Sequence, residues 1–332
     1  MIELVDIAYV RSGTADLRTA VKFATDIVGM ELVKEEEGVA YLRADHRHHC
    51  LAFVEGRSGV LSSGFVLRDM AALDAAEVEL REIGLKVRRG TEAGARSRHV
   101  RDYLTFEDPA GNRVDLVVGQ VRLTAPVKFS RPAGITEFGH ICFDAPDVYA
   151  AGQFWTEHFN IKVSDWVTGG ACLMRFDPVH HKLAVFQGDR PGLCHINFQV
   201  ESIDDVMRSW HFLEEHGVEI EQGPGRHPQS TAIFLYFKGP EGLTYEYSYG
   251  VRRIAEDEDW TPRWFDPEEP GAIDMWLGPK ARVSTQYQVP SDLDDDWEGL
   301  PRKRDLAGAS AAPVPEEPTE VTPAVAVGSP TA

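Results

Sequence analysis

The sequence predicts an α+β protein of two domains, each built from a pair of βαβββ modules, so that four modules make up the fold. Three observations predict it. The chain has 332 residues, of which 43% are hydrophobic and 26% charged, which suits two globular domains of ordinary size. Motifs recur at a spacing of about 130 residues. Each half also contains two amphipathic helical stripes between short strand-like segments.

The internal repeat divides the chain into two similar halves. Residues 108–116, DPAGNRVDL, reappear as residues 239–247, GPEGLTYEY, and residues 48–52, HHCLA, reappear as residues 180–184, HHKLA. The two offsets are 131 and 132 residues. A repeat of this length indicates duplicated structural units.

Domain boundaries follow from the repeat and from changes in composition. We expect an N-terminal domain over residues 1–125 and a C-terminal domain over residues 134–290. Residues 260–267, WTPRWFDP, form an irregular aromatic and proline stretch that we expect to wrap the second domain. Residues 301–332 contain no aromatic residue, so they cannot bury enough apolar surface to offset their ordering entropy. We expect a disordered tail there.

Four helices are predicted, one in each module. Apolar residues at helical spacing follow Asp147, which is a plausible N-cap. Similar stripes begin at Asp16, at Ala72 and at Asp204. Each stripe lies between strand-like segments, as a βαβββ module requires.

Charge and composition exclude several classes of function. The formal net charge of −19 disfavours nucleic acid and anionic membranes as partners. No signal peptide or membrane-spanning run is visible, so we expect a cytoplasmic protein. The four cysteines, Cys50, Cys142, Cys172 and Cys194, have no CxxC spacing, and we interpret them as reduced core residues.

Three strands of the second half carry polar side chains suited to chemistry. Strand alternation places His195, Asn197 and Gln199 on one face. Glu246 lies between tyrosines, where a buried carboxylate needs a cation, and His140 lies in an apolar strand. Two imidazoles and one carboxylate form a ligand set that suits Fe(II). For each histidine alone, a core residue satisfied by hydrogen bonds stays an alternative.

Residues 223–249 resemble the signature region of type I extradiol dioxygenases, which belong to the vicinal oxygen chelate superfamily. In that family a histidine after Gly-Arg is followed nine residues later by a tyrosine and ten residues after that by a glutamate ligand. His227, Tyr236 and Glu246 match both spacings. The resemblance covers about residues 5 to 290 and is weakest in the first half.

The resemblance implies a metal site and three further catalytic residues. It makes His140, His195 and Glu246 the ligands of Fe(II), with Mn(II) accepted by the same set. It makes His181 the acid–base histidine, with the register against His180 uncertain by one residue, and makes His227 and Tyr236 substrate-binding groups. The expected reaction inserts both atoms of O2 into an aromatic diol beside its two hydroxyls, giving a ring-opened semialdehyde-type product. The family also suggests a homo-oligomer.

The first half acts as an internal control. At the positions that correspond to His140, His195 and Glu246 it carries roughly Tyr9, Phe65 and Asp115, which cannot rebuild the ligand set. We therefore expect a non-catalytic N-terminal domain and one metal site per chain.

Alternative interpretations stay open for the function and for several residues. The chain could be a glyoxalase-like isomerase or lyase of the same superfamily, or a non-catalytic small-molecule-binding relative. We expect the patch of His46, His48 and His49 to be a solvated hairpin, and His99 to be vestigial or interfacial. Helical histidines are expected at the surface or at helix ends: His158, His211 and His216. Arg252 and Arg253 are expected either in solvent or facing an anionic substrate group.

Overall fold

Two mixed β-sheets, one from each half of the chain, form the framework of the computed structural model. It describes residues 1–256, 258–279 and 287–302, and within them the first sheet has eight strands and the second ten. The first sheet contains β1 (Asp6–Thr14), β2 (Glu31–Glu36), β3 (Val39–Arg43), β4 (Leu51–Glu55), β5 (Gly59–Val66), β6 (Arg88–Arg89), β7 (Asp102–Glu107) and β8 (Arg113–Val118).

The second sheet repeats this set and adds two short strands. It contains β9 (Ile135–Ala145), β10 (Lys162–Val167), β11 (Ala171–Arg175), β12 (Leu183–Gln187), β13 (Gly192–Val200), β14 (Ile220–Arg226), β15 (Ile233–Lys238), β16 (Thr244–Tyr249), β17 (Arg263–Phe265) and β18 (Tyr287–Gln288). The α-helices are α1 (Leu17–Lys22), α2 (Met70–Glu82), α3 (Glu92–Arg98), α4 (Val148–His158) and α5 (Ile203–Glu215).

Strand order confirms the predicted α+β fold of four βαβββ modules. The first sheet runs β2-β3-β4-β1-β5-β8-β7-β6, and the second sheet, read from β10, runs β10-β11-β12-β9-β13-β16-β15-β14. The two orders are the same when β9 is matched to β1. In each sheet the first strands of two modules, β1 and β5 or β9 and β13, pair antiparallel at the centre. Alternate residues of the two central strands therefore share one face of each sheet.

Two of the four predicted helix starts, those of α1 and α4, agree with the structure. The Asp16 and Asp147 carboxylates accept hydrogen bonds from first-turn amides of α1 and α4, so both are N-caps. The prediction that Asp204 opens α5 was wrong, because Ser202 is the cap and accepts from the Asp205 amide. Asp204 instead lies in the first turn, where a carboxylate also interacts well with the helix dipole. Helix α2 begins two residues before the predicted Ala72, after the cap Asp69.

One hydrophobic core joins both halves. The Trp155 ring of α4 lies 5.8 Å from the Phe65 ring of the first sheet. In the opposite direction Phe23, the first residue of the π-helical segment Phe23–Ile27 that follows α1, lies 5.7 Å from Tyr245 of the second sheet. Each half thus contributes aromatic side chains to the packing of the other, and burial of such rings is a large stabilising term.

The segments after β16 extend across both sheets. The stretch predicted to be irregular, residues 260–267, contains the short strand β17, which pairs parallel with β10 at the edge of the second sheet. Farther on, β18 pairs with β13, and the Tyr287 hydroxyl lies 2.7 Å from Ser12 of the first sheet. Leu293 then enters a buried cluster with strands of the first half.

Two further predictions concern the cysteines and the end of the chain. All four cysteines are free, as predicted. Among the described residues, no helix has the length and apolarity needed to cross a membrane. Apart from residues 301 and 302, the predicted tail over residues 301–332 lies outside the described residues.

Candidate metal centre and active site

Three neighbouring strands bring His140, His195 and Glu246 together. Strand β13 lies between β9 and β16, and its Asn197 pairs with His140 on one side and with Glu246 on the other. His195 is two residues before Asn197, so its side chain points to the same face. Three residues distant in sequence therefore meet because strands β9, β13 and β16 are adjacent.

The three side chains converge on one point in a buried environment. His140 Nε2 lies 2.9 Å and His195 Nε2 3.3 Å from Glu246 Oε2, and the two nitrogens are 3.1 Å apart. Nevertheless Glu246 Oε2 has no hydrogen bond of suitable geometry within the described part of the chain. The three ligand atoms lie close enough together for one shared cation to bind them all, and a cation would also satisfy Glu246 Oε2. The residues therefore fit a metal ion of the type that prefers two imidazoles and a carboxylate.

Protonation states also suit metal binding. Burial lowers the pKa of His140 to about 4, so its imidazole is neutral at physiological pH. Burial by itself raises the pKa of Glu246, but the imidazoles of His140 and His195 outweigh it and hold the pKa well below its ordinary value. A neutral imidazole and an ionised carboxylate are the ligand forms that metals require.

A cavity of about 250 Å³ opens beside these residues. His195 forms part of its wall, together with the other predicted catalytic residues His181, His227 and Tyr236. The remaining lining residues are Val167, Ala171, Leu173, Phe186, Cys194, Glu221, Gln222, Gln229, Ser230, Thr244 and Ile273. All the predicted site residues thus lie in or next to a single cavity of the second half.

His227 and Tyr236 form a hydrogen-bonded pair in the cavity wall. His227 Nδ1 lies 2.8 Å from the Ile273 carbonyl, which can only accept, so Nδ1 carries the proton. His227 Nε2 then accepts from the Tyr236 hydroxyl at 2.9 Å. Tyr236 also pairs with Glu246 across β15 and β16. Burial, with the nearby Glu246 carboxylate, raises the pKa of Tyr236 well above its ordinary value.

His180 and His181 have different surroundings although they are adjacent in the chain. The His181 ring lines the cavity and lies 4.3 Å from the His140 ring, centroid to centroid. His180 is fully buried behind it. His180 Nδ1 is 3.1 Å from His181 Nδ1, and His180 Nε2 is 2.9 Å from Asp165 Oδ2. Of the two, only His181 is in a position to meet a molecule in the cavity.

Two residues near the site were not predicted from sequence. The Cys142 sulfur lies with the ring nitrogens of His140 and His195 in a group whose ligand atoms are all within 4.8 Å of one another; its position two residues after His140 on β9 could have indicated this. No sequence pattern indicated Asp165, because its hydrogen bond to His180 joins strand β10 to the segment between β11 and β12. Arg252 and Arg253 do not line the cavity, and Arg252 instead pairs with Glu258 at 2.6 Å.

The corresponding place in the first half contains an ion pair. Tyr9 matches His140 and Asp115 matches Glu246, as predicted, since both pair with Gly64 as their counterparts pair with Asn197. Matching His195 to Phe65 was wrong, because the register makes Ser62 its counterpart. The offset between equivalent residues is 131 for Tyr9 and His140 but 133 for Ser62 and His195, because the segments that join these strands differ in length between the two halves.

Asp115 is held by three side chains in this first-half counterpart. It accepts hydrogen bonds from Arg98 Nε at 2.8 Å, from Ser62 Oγ at 2.7 Å and from the Tyr9 hydroxyl at 3.0 Å. The guanidinium of Arg98 thus supplies the positive charge that a buried carboxylate needs. This arrangement supports the expectation that the first half binds no catalytic metal.

The histidine patch of the first half is mostly buried. His48 and His49 lie under Tyr41 with ring centroids 5.5 and 5.0 Å from its ring, so the expected solvated hairpin was wrong for both. Only His46 is exposed. The two residues occupy the sequence positions that correspond to His180 and His181 of the second half. His99 stacks on His48 at 3.7 Å.

Comparison with known proteins gives one family and a consistent set of relatives. The family model described as the Glyoxalase/Bleomycin resistance protein/Dioxygenase superfamily matches residues 6–116 and 137–247. The chain is 26% identical over 291 residues to an iron-dependent extradiol dioxygenase of Rhodococcus jostii, covering 81% of this chain and 95% of that protein.

Two further proteins to which the chain is similar are also dioxygenases. A manganese-dependent 2,3-dihydroxybiphenyl 1,2-dioxygenase of Geobacillus genomosp. 3 is 27% identical over 310 residues, covering 84% of this chain and 96% of that protein. The crystal structure of homoprotocatechuate 2,3-dioxygenase from Arthrobacter globiformis superposes with a TM-score of 0.79 at 24% identity, covering 91% and 96% of the two chains. The fold is therefore shared with that dioxygenase.

Proposed function

The chain belongs to the Glyoxalase/Bleomycin resistance protein/Dioxygenase superfamily, and from this membership and the site geometry we propose that it is an extradiol ring-cleaving dioxygenase. It would insert both atoms of O2 into a catechol-type diol next to the diol carbons and release a ring-opened semialdehyde-type product. The convergence of His140, His195 and Glu246 beside a cavity of about 250 Å³ carries the proposal.

We further propose Fe(II) as the metal, with Mn(II) as the alternative that the same ligand set accepts. His140, His195 and Glu246 would hold the ion. When bound, it would supply Lewis-acid polarisation of the diol oxygens and the electron transfer that a reaction with O2 requires. A three-residue ligand set leaves room for both reactants near the same point.

The surrounding residues would bind the diol and move its protons. The Tyr236 hydroxyl, held by His227 Nε2, would hydrogen-bond a diol oxygen at the wall of the cavity. His227 would in turn receive a proton through Tyr236, because the electron pair of its Nε2 already accepts the hydrogen bond of the Tyr236 hydroxyl. His181 on the neighbouring wall would act as general base and then general acid towards the reacting oxygen, a role for which imidazole is well suited.

Anaerobic purification followed by metal analysis and a panel of catechols tests this function. We expect about one Fe per chain, O2 consumption on at least one diol and a yellow ring-opened product. Glu246→Gln should lose the metal and the activity together, whereas Glu214→Gln, an exposed residue of α5, should lose neither. Metal-loaded protein that consumes no O2 with any diol would contradict the proposal, as would a metal-binding Glu246→Gln variant.

A further inference from the structure

The walls of the cavity differ sharply in polarity. One side is formed by Val167, Ala171 and Leu173 of β10 and β11 and by Phe186 at the end of β12, and Ile273 adds a further apolar side chain. These residues carry no group that could hydrogen-bond a ligand through its side chain. An aromatic ring that enters from the metal side would therefore extend its substituent along apolar surface.

The cavity wall contains one carboxylate among its described lining residues. Among the lining residues of the described chain there is no lysine or arginine, and the carboxylate is that of Glu221. Glu221 Oε2 is 3.2 Å from the Lys238 ammonium and accepts from Thr244 Oγ1 at 2.9 Å. Lys238 is therefore already engaged by Glu221 and does not line the cavity.

We propose that the preferred diol carries a neutral, apolar substituent such as an alkyl or aryl group, and that Glu221 helps exclude diols with an anionic side chain. This inference rests on the proposed ring-cleaving function. A carboxylate substituent would lose its hydration without gaining a cation and would meet the Glu221 carboxylate. An apolar cavity of about 150 Å³ accommodates benzene, so 250 Å³ leaves space for such a substituent.

A pair of substrates of similar shape tests the preference directly. 4-Ethylcatechol and 3,4-dihydroxyphenylacetate differ mainly in the charge at the end of a two-carbon substituent, and catechol serves as the common reference. We expect kcat/KM for 4-ethylcatechol to exceed that for the carboxylate by about 100-fold or more. Glu221→Gln should narrow this ratio by at least about fivefold.

Each outcome of the substrate test has a separate meaning. Equal kcat/KM values for the two substituted diols, or a preference for the carboxylate, would overturn the inference while leaving ring cleavage intact. An unchanged ratio in Glu221→Gln would overturn the role of Glu221. No turnover of catechol, 4-ethylcatechol or the carboxylate by metal-loaded protein would instead count against the proposed function itself.

A second, independent observation concerns the hydrogen bonds behind His181. Asp165 is fully buried, and Arg263 of β17 contacts both of its oxygens, with Nη2 2.6 Å from Oδ2 and Nε 3.1 Å from Oδ1. An ionised carboxylate only accepts, so His180 Nε2, 2.9 Å away, carries a proton. The neutral His180 ring then presents an electron pair at Nδ1, which faces His181 Nδ1 at 3.1 Å.

We infer that Asp165 and His180 are positioning residues that set the tautomer of His181. His181 donates its Nδ1 proton to His180, and Nε2 is left as the basic atom, because the proton on one ring nitrogen is determined by the partner of the other. The first half is an internal control. In the first half the Nδ1 atoms of His48 and His49 are similarly close, 3.2 Å apart. However, strand pairing places Lys34 at the position that corresponds to Asp165.

A double-mutant cycle on the metal-loaded enzyme tests this relay with the diol that the enzyme cleaves best. Asp165→Asn should lower kcat by about 10-fold or more with little change in KM or metal content. In a His181→Phe background the same change should have no further effect, because residues acting as one unit are non-additive. Arg263→Gln leaves the Asp165–His180 hydrogen bond in place and should retain most of the activity.

Additive effects of Asp165→Asn and His181→Phe would overturn the relay, and so would a loss in Arg263→Gln as large as that in Asp165→Asn. If Asp165→Asn does not fold, two substitutions of His180 replace it. His180→Asn keeps an acceptor near His181, whereas His180→Leu removes it. Equal kcat values for these two variants would also overturn the relay, and a clear advantage of His180→Asn would support it.

Discussion

Small differences in position separate the residues of the site from similar residues beside it. His180 and His181 are adjacent, yet His180 is buried against Asp165 and His181 lines the cavity. Cys142 shares a strand face with His140 and lies near the ligand atoms, whereas sequence reasoning placed it only in the core. At this scale, the direction of each side chain decides whether a residue can act.

Replacing His181 by Phe separates acid–base chemistry from metal binding. We expect kcat to fall by about 100-fold or more, in the range of a positioned acid–base group, while the metal content is unchanged because His181 lies outside the converging set of His140, His195 and Glu246. Steady-state kinetics with metal analysis of each preparation measure both quantities. His211→Phe, at an exposed site on α5, is the matched control. Loss of metal in His181→Phe, or unchanged turnover, would contradict the prediction.

At the scale of elements, equivalent strands carry different chemistry. Strands β9, β13 and β16 converge on a point suited to a metal, and their counterparts β1, β5 and β8 converge on Asp115 and Arg98. Burial by itself raises the pKa of Asp115, but Arg98 outweighs it and holds the pKa below its ordinary value. In the first half the Arg98 guanidinium therefore balances the charge of the buried Asp115 carboxylate. In the second half a metal ion would balance the charge of Glu246.

Removing the Asp115 charge should destabilise the fold without affecting metal binding. Asp115→Asn leaves the Arg98 guanidinium buried without a counter-charge, so we expect the free energy of unfolding to fall by about 3 to 5 kcal/mol. Urea unfolding monitored by tryptophan fluorescence gives this value. Asp102→Asn removes a partly exposed partner of Arg89, whose side chain is also partly exposed, and should cost about 1 kcal/mol or less. A lower metal content in folded Asp115→Asn would show that the first half does contribute to metal binding.

At the scale of the whole molecule, packing links the halves more closely than the repeat suggests. The core cluster includes residues of both sheets, and the segment after β18 crosses to the first half, where Trp297 joins a buried cluster with Tyr103. The C-terminal part of the chain is therefore needed to complete the N-terminal half. The expected cytoplasmic location and homo-oligomeric state stay predictions.

Buried histidines of the first half should make the protein acid-sensitive. Burial lowers the pKa of His48 to about 4 and also lowers the pKa values of His49 and His99. Unfolded chains take up protons at histidines from about pH 6.5 downward, whereas the folded chain does not until its lower pKa is reached. The stability contribution of these neutral histidines is thus fully present above pH 6.5 and is lost as the pH falls towards 4.

Unfolding experiments at pH 7 and pH 5 measure this loss for His48. We expect His48→Gln to reduce the pH-dependent decrease in the free energy of unfolding by about 1 to 2 kcal/mol, and His216→Gln at an exposed helix end to leave it unchanged. Comparing variants is necessary because burial raises the pKa of Asp108 to about 6 and that of Asp144 to about 7. Their effect is opposite, since raised carboxyl pKa values favour the folded state as the pH falls. An identical pH dependence in His48→Gln and in the unchanged protein would refute the prediction.

The sequence by itself determined the module pattern and the duplication, because periodicity and repeated motifs reflect which face of each element is buried. The resemblance of residues 223–249 to extradiol dioxygenases, also visible in the sequence, pointed to the residues that the structure places in or next to one cavity: His140, His181, His195, His227, Tyr236 and Glu246. Only the tertiary structure decided the match of Ser62 rather than Phe65 to His195, the burial of His48 and His49, and the contact of Asp165 with His180. Those facts depend on which strands lie side by side and on the register in which they pair, and neither is expressed in the spacing of residues along one chain.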